Sequence, residues 1–360
     1  MTQLTQTPRT TFKRHPERGS YDRALVHAIV DEALCCHLGL VVDGEPLVLP
    51  TAHARIDDQV YVHGAVANHM LRSVVGRRAC ATFTLIDGVV LARTAFHHSM
   101  NYRSVVVFGV TREVEDLDEK RLALAAIVDH TAPGRSREVG TPSDAELRST
   151  RVLCLPIEEA SAKVRRGGPL DGAGDLELPV WAGVLPLRVR AEPPLRAAGL
   201  LSDMPPSAAA NAAASARGGD AVYELQRGEL LFSSDPGRID FELVHQFLAH
   251  QSYWAAGISA ERLRESLAHS LCFGAYQRGT QLGFARFVTD RARFAYLCDV
   301  FIDTSRRKAG FGSALVRFAL EHPAIRAIPR VLLGTRDAHP LYERLGFERD
   351  ARGRFMELVR

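Results

Sequence analysis

The chain has 360 residues, 46% hydrophobic and 24% charged, with 45 Lys plus Arg against 42 Asp plus Glu for a net charge of +3. At about 150 residues per domain this length suits two globular domains, and the composition excludes a disordered or collagen-like chain. The charges alternate in sign, no run nears the roughly 18 to 20 apolar residues of a membrane span, and Met1 to Arg23 lacks the apolar core of a secretory signal. Neither nucleic acid nor membrane is therefore an expected partner, and the setting is read as cytoplasmic.

In chain order, Ser20 can cap a helix carrying Leu25, Ala28, Ile29 and Ala33 at helical spacing. Short β-type runs follow at Leu34–Val42, Pro46–Ala54 and Gln59–His63, parted by Asp43-Gly44 and Asp57-Asp58. A helix is expected over Val66–Val75, then a hairpin with arms Ala79–Ile86 and Val89–Thr94 about Asp87-Gly88. The long strand Tyr102–Val114 and a helix over Asp118–His130 come next. Many short strands with few helices predict a barrel rather than a parallel sheet. The cysteines (Cys35, Cys36, Cys80, Cys154, Cys272, Cys298) form no C-x-x-C pair and are read as buried small hydrophobes.

Pro205 and Pro206 lead into an alanine-rich run closed by Gly218-Gly219, which predicts a mobile or weakly helical linker over 204–221. It separates a domain at 14–200 from one at 222–360. The second half mixes helices (Ile239–His250, Ala260–Ser270) with a hairpin, Leu271–Tyr276 and Gln281–Thr289, about Arg278-Gly279. A strand Phe294–Ile302, a helix Gly310–Glu321, a strand Val331–Gly334, a short helix His339–Leu345 and a strand Arg354–Val359 complete a mixed α/β domain.

Strand Phe294–Ile302 runs into Asp303-Thr304-Ser305-Arg306-Arg307-Lys308-Ala309-Gly310-Phe311-Gly312-Ser313 and an amphipathic helix. Glycines let the backbone approach a ligand, and a helix start presents free N–H groups and positive dipole, so strand, basic glycine turn and helix can bind phosphate. Neither G-x-x-x-x-G-K-[ST] nor G-x-G-x-x-G is present, and such a turn alone can be merely structural. It is followed, however, by Leu341-Tyr342-Glu343-Arg344-Leu345-Gly346-Phe347, with Pro340 and Gly346 bounding a short helix.

With both motifs in order, Gly228 to Arg360 resembles the GNAT superfamily of N-acetyltransferases. The resemblance implies a splayed mixed sheet with acetyl-CoA between two parting strands, its pantetheine arm beside Cys298, Val300 and Ile302. Arg307, Lys308, Ala309, Gly310, Phe311, Gly312 and Ser313 would hold the pyrophosphate, and Tyr342 would protonate the departing thiolate. Asp299 is a carboxylate inside an apolar strand, costly to bury unless it is paired or faces a cleft. It is the candidate base, directly or through water, with a structural pairing to an arginine or a backbone N–H as the other reading. Tyr253 and Trp254 stand where the family places acceptor contacts, core packing being the alternative. His339 could line the same site or cap its helix.

The first half offers His53, His63, His69, His97 and His98 beside Arg55, Arg77, Arg78, Arg93 and Arg103. The series Tyr61-Val62-His63-Gly64, Asn68-His69-Met70-Leu71, Asp87-Gly88 and Phe96 to Gly109 resembles the pyridoxamine phosphate oxidase-like split barrels, in their nitroimidazole-resistance-like branch. That implies a mainly antiparallel split β-barrel with helices and a homodimer with FMN at the subunit interface, held by His53, Arg55, His63, Asn68 and His69. Haem on His63, His69, His97 or His98 is a second reading, and a ligand-free dimerisation module a third. The combined expectation is an N-acetyltransferase acting on a small-molecule amine, fused to a flavin-binding barrel with oxidoreductase chemistry open to it. A non-catalytic dimeric sensor is the alternative.

Overall fold

Alternation of apolar and polar residues shapes the first half into strands that each bury one face. The computed structural model describes residues 3–195, 197–200, 204–307 and 309–349. In order come β1 (Gly19–Ser20), α1 (Arg23–Glu32), β2 (Cys36–Val42), β3 (Glu45–Thr51), β4 (His53–Ile56), β5 (Gln59–Ala65) and α2 (His69–Ser73). They are followed by β6 (Arg78–Leu91), β7 (Ser99–Val110), β8 (Arg112–Glu113), α3 (Leu117–Thr131), α4 (Asp144–Ser149), β9 (Thr150–Pro156), β10 (Glu159–Arg165) and β11 (Gly183–Pro186). The strands pair antiparallel in the orders β1-β10-β7-β6-β2-β3, with β11 also on β6, and β4-β5-β9-β8. Val26, Ile29 and Val30 of α1 join Leu38, Ala81, Phe83, Val105, Val107 and Leu153 in one core. This is the split-barrel architecture the sequence suggests.

Two local readings are corrected. Asp22, not Ser20, caps α1: its carboxylate accepts the Ala24 N–H at 3.2 Å, while the Ser20 hydroxyl accepts that of Asp22. The hairpin expected at Asp87-Gly88 is the single strand β6, whose register shifts between Ile86 and Gly88. Arg103 grips both Asp87 oxygens, at 2.9 and 2.8 Å, and Gly88 lies so close to β11 that a Cβ would stand 2.9 Å from the Leu185 carbonyl. Tertiary contacts thus turn a reversal signal into a bulge. Cys35 departs from the expected burial of the cysteines, being exposed.

The described residues form two compact units, one of those up to Arg190 with Ala208–Arg217, the other of those in Ala191–Ser207 with those from Gly218 on. The alanine run is not a free tether. It forms α5 (Ala208–Ala216), with Ala209 and Ala214 buried, the Ala209 N–H donating to Glu138 at 2.8 Å and Arg217 donating to the Thr131 carbonyl. Small side chains suffice here because close approach replaces bulk.

The second unit comprises β12 (Glu224–Arg227), β13 (Leu230–Ser233), α6 (Phe241–Gln251), α7 (Ala260–Ala268), β14 (Leu271–Gln277), β15 (Thr280–Thr289), β16 (Ala295–Ile302), α8 (Phe311–Leu320), β17 (Val331–Leu333) and α9 (His339–Glu343). Among the described residues its sheet runs in sequence order from β12 to β17, antiparallel except for the parallel pair β16–β17. Arg278 and Gly279 turn the β14–β15 hairpin at φ 51° and 79°, as their sequence predicts. Leu315, Val316 and Phe318 of α8 pack with Phe273 and Phe287 on one face, and Val244, Leu248 and Leu263 of α6 and α7 with Phe284 and Phe301 on the other. The predicted strand Arg354–Val359 lies outside the described residues. Among those described, no helix is long and apolar enough to cross a membrane.

Candidate functional site

The sheet of the second unit opens where β16 and β17 part. They pair only from Ala295–Val331 to Leu297–Leu333. Two residues further on, Asp299 takes φ 55° and the β15–β16 register shifts, so β16 bends at that point. The opening belongs to a cavity of about 960 Å³.

One wall is the turn into α8. Gly310 caps the helix at φ 81°, a left-handed conformation that glycine adopts without Cβ strain, and supplies no side-chain acceptor. The first intrahelical bond runs from the Ala314 N–H to the Gly310 carbonyl, leaving the amides of Phe311, Gly312 and Ser313 without one. Arg306 and Arg307 line the cavity beside them, so amides, helix dipole and guanidinium groups present one sign to an anion.

The second wall carries Tyr342 on α9, between Pro340 and Gly346, which takes φ 90°. Its ring meets Phe347 edge-on at 5.8 Å, and among the described residues its hydroxyl has no hydrogen-bond partner. Burial, with Tyr253 and Asp337 adding to it, pushes the phenol up to about 12. The phenol is therefore protonated at neutral pH.

At the bend, Asp299 is buried and both its oxygens are engaged. Oδ1 accepts from the Trp254 indole at 3.0 Å and Oδ2 is ion-paired with Arg286, whose other nitrogen donates to Ser270 at 3.0 Å. The arginine pairing read as an alternative from sequence is thus present. Tyr253 stacks edge-on against Trp254 at 4.9 Å, and its hydroxyl accepts the Arg336 N–H at 2.9 Å. Burial pushes the Cys298 thiol up to about 12, so it is a packing group and not a thiolate.

Cys298, Asp299, Val300, Ile302, Arg307, Gly310, Phe311, Gly312, Ser313, Tyr342, Tyr253 and Trp254 all line this one cavity. Ala309 is exposed beside it without lining it, Lys308 lies outside the described residues, and His339 begins α9 away from the lining. Gln251, Thr335 and Arg336 also line it and had no motif of their own; only the position of residues 335–338 between β17 and α9 could have signalled two of them.

Of the residues expected to hold FMN, His53, Arg55 and Asn68 are engaged within the protein and His63 and His69 are exposed. His53 is fully buried in the core, Nε2 donating to the Val30 carbonyl at 2.9 Å and the ring against Phe83 and His130. Arg55 is bidentate on Asp31 at 2.8 and 2.6 Å and also donates to the Asp57 carbonyl. Asn68 caps α2, accepting the Met70 and Leu71 N–H groups at 3.0 and 3.2 Å. His63 and His69 are exposed, without partners among the described residues. His97 lies 3.7 Å from Asp175, and His98 contacts the Thr94 carbonyl through Nδ1.

Comparison with known proteins divides the chain in the same way. Residues 22–164 match the family described as pyridoxamine 5'-phosphate oxidase, and residues 241–347 the acetyltransferase (GNAT) family. A candidate acetyltransferase of Gibberella zeae is 30% identical over 138 residues, covering 32% of this chain and 77% of that protein. A flavocytochrome of Azotobacter vinelandii is 36% identical with a TM-score of 0.55, covering 57% of this chain and 95% of that one. An FAD and haem binding protein of Mycobacterium smegmatis is 32% identical with a TM-score of 0.53, covering 55% and 97%.

Proposed function

We propose, for a chain that belongs to the pyridoxamine 5'-phosphate oxidase-like family in its first half and to the GNAT acetyltransferase family in its second, that the second unit moves acetyl from acetyl-CoA to a small-molecule amine. The observation carrying this reading is that one cavity holds both the unpaired amides at the start of α8 and the protonated Tyr342. The amides of Phe311, Gly312 and Ser313 receive the diphosphate, with Arg306 and Arg307 screening its charge. The edge of β16 freed from β17 offers main-chain groups to the pantetheine arm beside Cys298, Val300 and Ile302. A neutral amine attacks the thioester carbonyl, the C–N bond forms as the C–S bond breaks, and Tyr342 gives its proton to the sulfur. The proton lost by the amine passes to solvent.

Asp299, with both oxygens engaged, is assigned as a positioning residue that holds the Trp254 indole and is itself held by Arg286, rather than as the direct base. Tyr342→Phe is expected to lower kcat by about 10²-fold while acetyl-CoA affinity, read by calorimetry, stays within twofold. An unchanged kcat removes the acid role.

For the first unit we read a flavin- and haem-binding domain, as the names of its two solved relatives suggest, and propose that it forms a dimer in the cytoplasm. His53, Arg55 and Asn68 are already committed within the protein, so we do not assign them to the flavin. His63 and His69 suit haem iron chemically, since an exposed imidazole can offer a nitrogen. A haem there would supply one-electron chemistry. Dimerisation is supported by exposed apolar side chains along Leu170, Leu176, Val180, Trp181 and Leu185, the Trp181 exposure being 68%. Native mass spectrometry of the purified protein should show a dimer carrying haem that is lost in His63→Ala or His69→Ala; haem retained in both variants contradicts the ligand assignment.

A further inference from the structure

We propose that Arg336 selects an acceptor that carries a carboxylate, which places the amine substrate in the amino-acid class; this rests on the acetyl-transfer reading above. Arg336 follows β17 on the cavity wall. Its backbone N–H donates to the Tyr253 hydroxyl at 2.9 Å, and its guanidinium carbon lies 3.8 Å from the centroid of the Tyr253 ring. Stacking fixes the plane of a guanidinium while leaving its N–H edges free to take two carboxylate oxygens at once.

Two of the other arginines nearby are engaged. Arg286 is ion-paired with Asp299, and Arg307 donates to the Ile302 carbonyl at 3.4 Å. Among the described residues the Arg336 guanidinium has no hydrogen bond or ion pair, its contact being the Tyr253 ring. It is an exposed cation held in one orientation with its donors unused.

Its position assigns it to the acceptor rather than to the carrier. Tyr253 touches Trp254, and the Trp254 indole is bonded to Asp299 at the bend in β16. Arg336 is thus joined to the wall built from residues 253, 254 and 299, whereas Arg306, Arg307 and the free amides form the wall at α8. A fixed cation beside the acceptor opposes a simple cationic amine and favours one with a compensating negative group. Asp337, next along the lining, gives that wall a carboxylate to face the ammonium group before it loses its proton.

The test uses full-length protein, acetyl-CoA and matched acceptors: α-amino acids, the same compounds as carboxamides, and simple alkylamines. The acid form should exceed its amide at least tenfold in kcat/KM. Arg336→Gln should lower that ratio at least tenfold, mainly through KM for the acid, and Arg336→Lys should restore part of it. Acetyl-CoA affinity, measured by calorimetry, should stay within twofold. Amides or alkylamines used as well as acids, or a Gln variant that slows both forms equally, overturn the carboxylate assignment while leaving acetyl transfer intact. A tenfold loss of acetyl-CoA affinity in the Gln variant also overturns it, moving Arg336 to the carrier. Failure to acetylate any amine overturns both this inference and the reading it rests on.

Discussion

A phenol held among apolar side chains keeps its proton, and Tyr342 is such a group, raised to about 12 first by burial and then by Tyr253 and Asp337. Because the proton-bearing form is the one needed, turnover should rise with pH as the acceptor amine deprotonates and should show no descending limb below about pH 10. A pH–kcat profile checks this, and a fall beginning near pH 8 contradicts the acid assignment. His322 shows the opposite sign. It is buried against Tyr223 and Phe273, and burial lowers it to about 4. Between its ordinary value of about 6.5 and 4, the unfolded chain takes up a proton that the folded one refuses. Its stabilising contribution is therefore complete above about pH 6.5 and lost as pH falls towards 4, by roughly 3 kcal/mol at most. Urea midpoints at pH 7, 5.5 and 4.5 should decline in that order, and a flat series contradicts it. At this scale Gly310, Gly312 and Tyr342 were legible because their spacing is local. The Asp299–Arg286 pair needs a bend between strands, and the Arg336–Tyr253 contact joins residues far apart in the chain, so neither leaves a pattern in the sequence.

Among the elements, α8 depends on one backbone conformation. Among the described residues no atom lies within 4 Å of a Cβ placed at Gly310, so a side chain there meets open space, yet φ 81° strains any L-residue. Gly310→Ala should cost about 1 to 2 kcal/mol in stability and weaken acetyl-CoA binding about tenfold by turning the amides. Thermal melting and calorimetry measure both, and unchanged binding contradicts the amide cradle. The C-terminal hairpin and α8 could be read directly, since Arg278-Gly279 and Gly310 act through their own φ angles. Asp87-Gly88 could not, because Arg103 and β11 decide its conformation. Asn68 could be read two ways for a related reason. A helix cap and a ligand turn use the same residue types, and only the bonds to the Met70 and Leu71 amides distinguish them.

Across the molecule, the change from period-two strands to mixed α/β made the two units visible in the sequence, while the helical docking of Ala208–Ala216 was hidden by a composition that suits a tether equally well. A two-step role, in which the first unit reduces a compound and exposes an amine that the second acetylates, is the functional hypothesis for joining them. Cleavage between the units should then lower the coupled rate, and two activities unaffected by the cut argue against it. The central claim is narrower and concerns the second unit alone. A crystal structure of the full chain with acetyl-CoA tests it most directly. The account predicts the diphosphate on the amides of Phe311, Gly312 and Ser313 and the thioester sulfur within hydrogen-bond reach of the Tyr342 hydroxyl, whereas a carrier bound outside this cavity, or with its sulfur remote from that phenol, would contradict it.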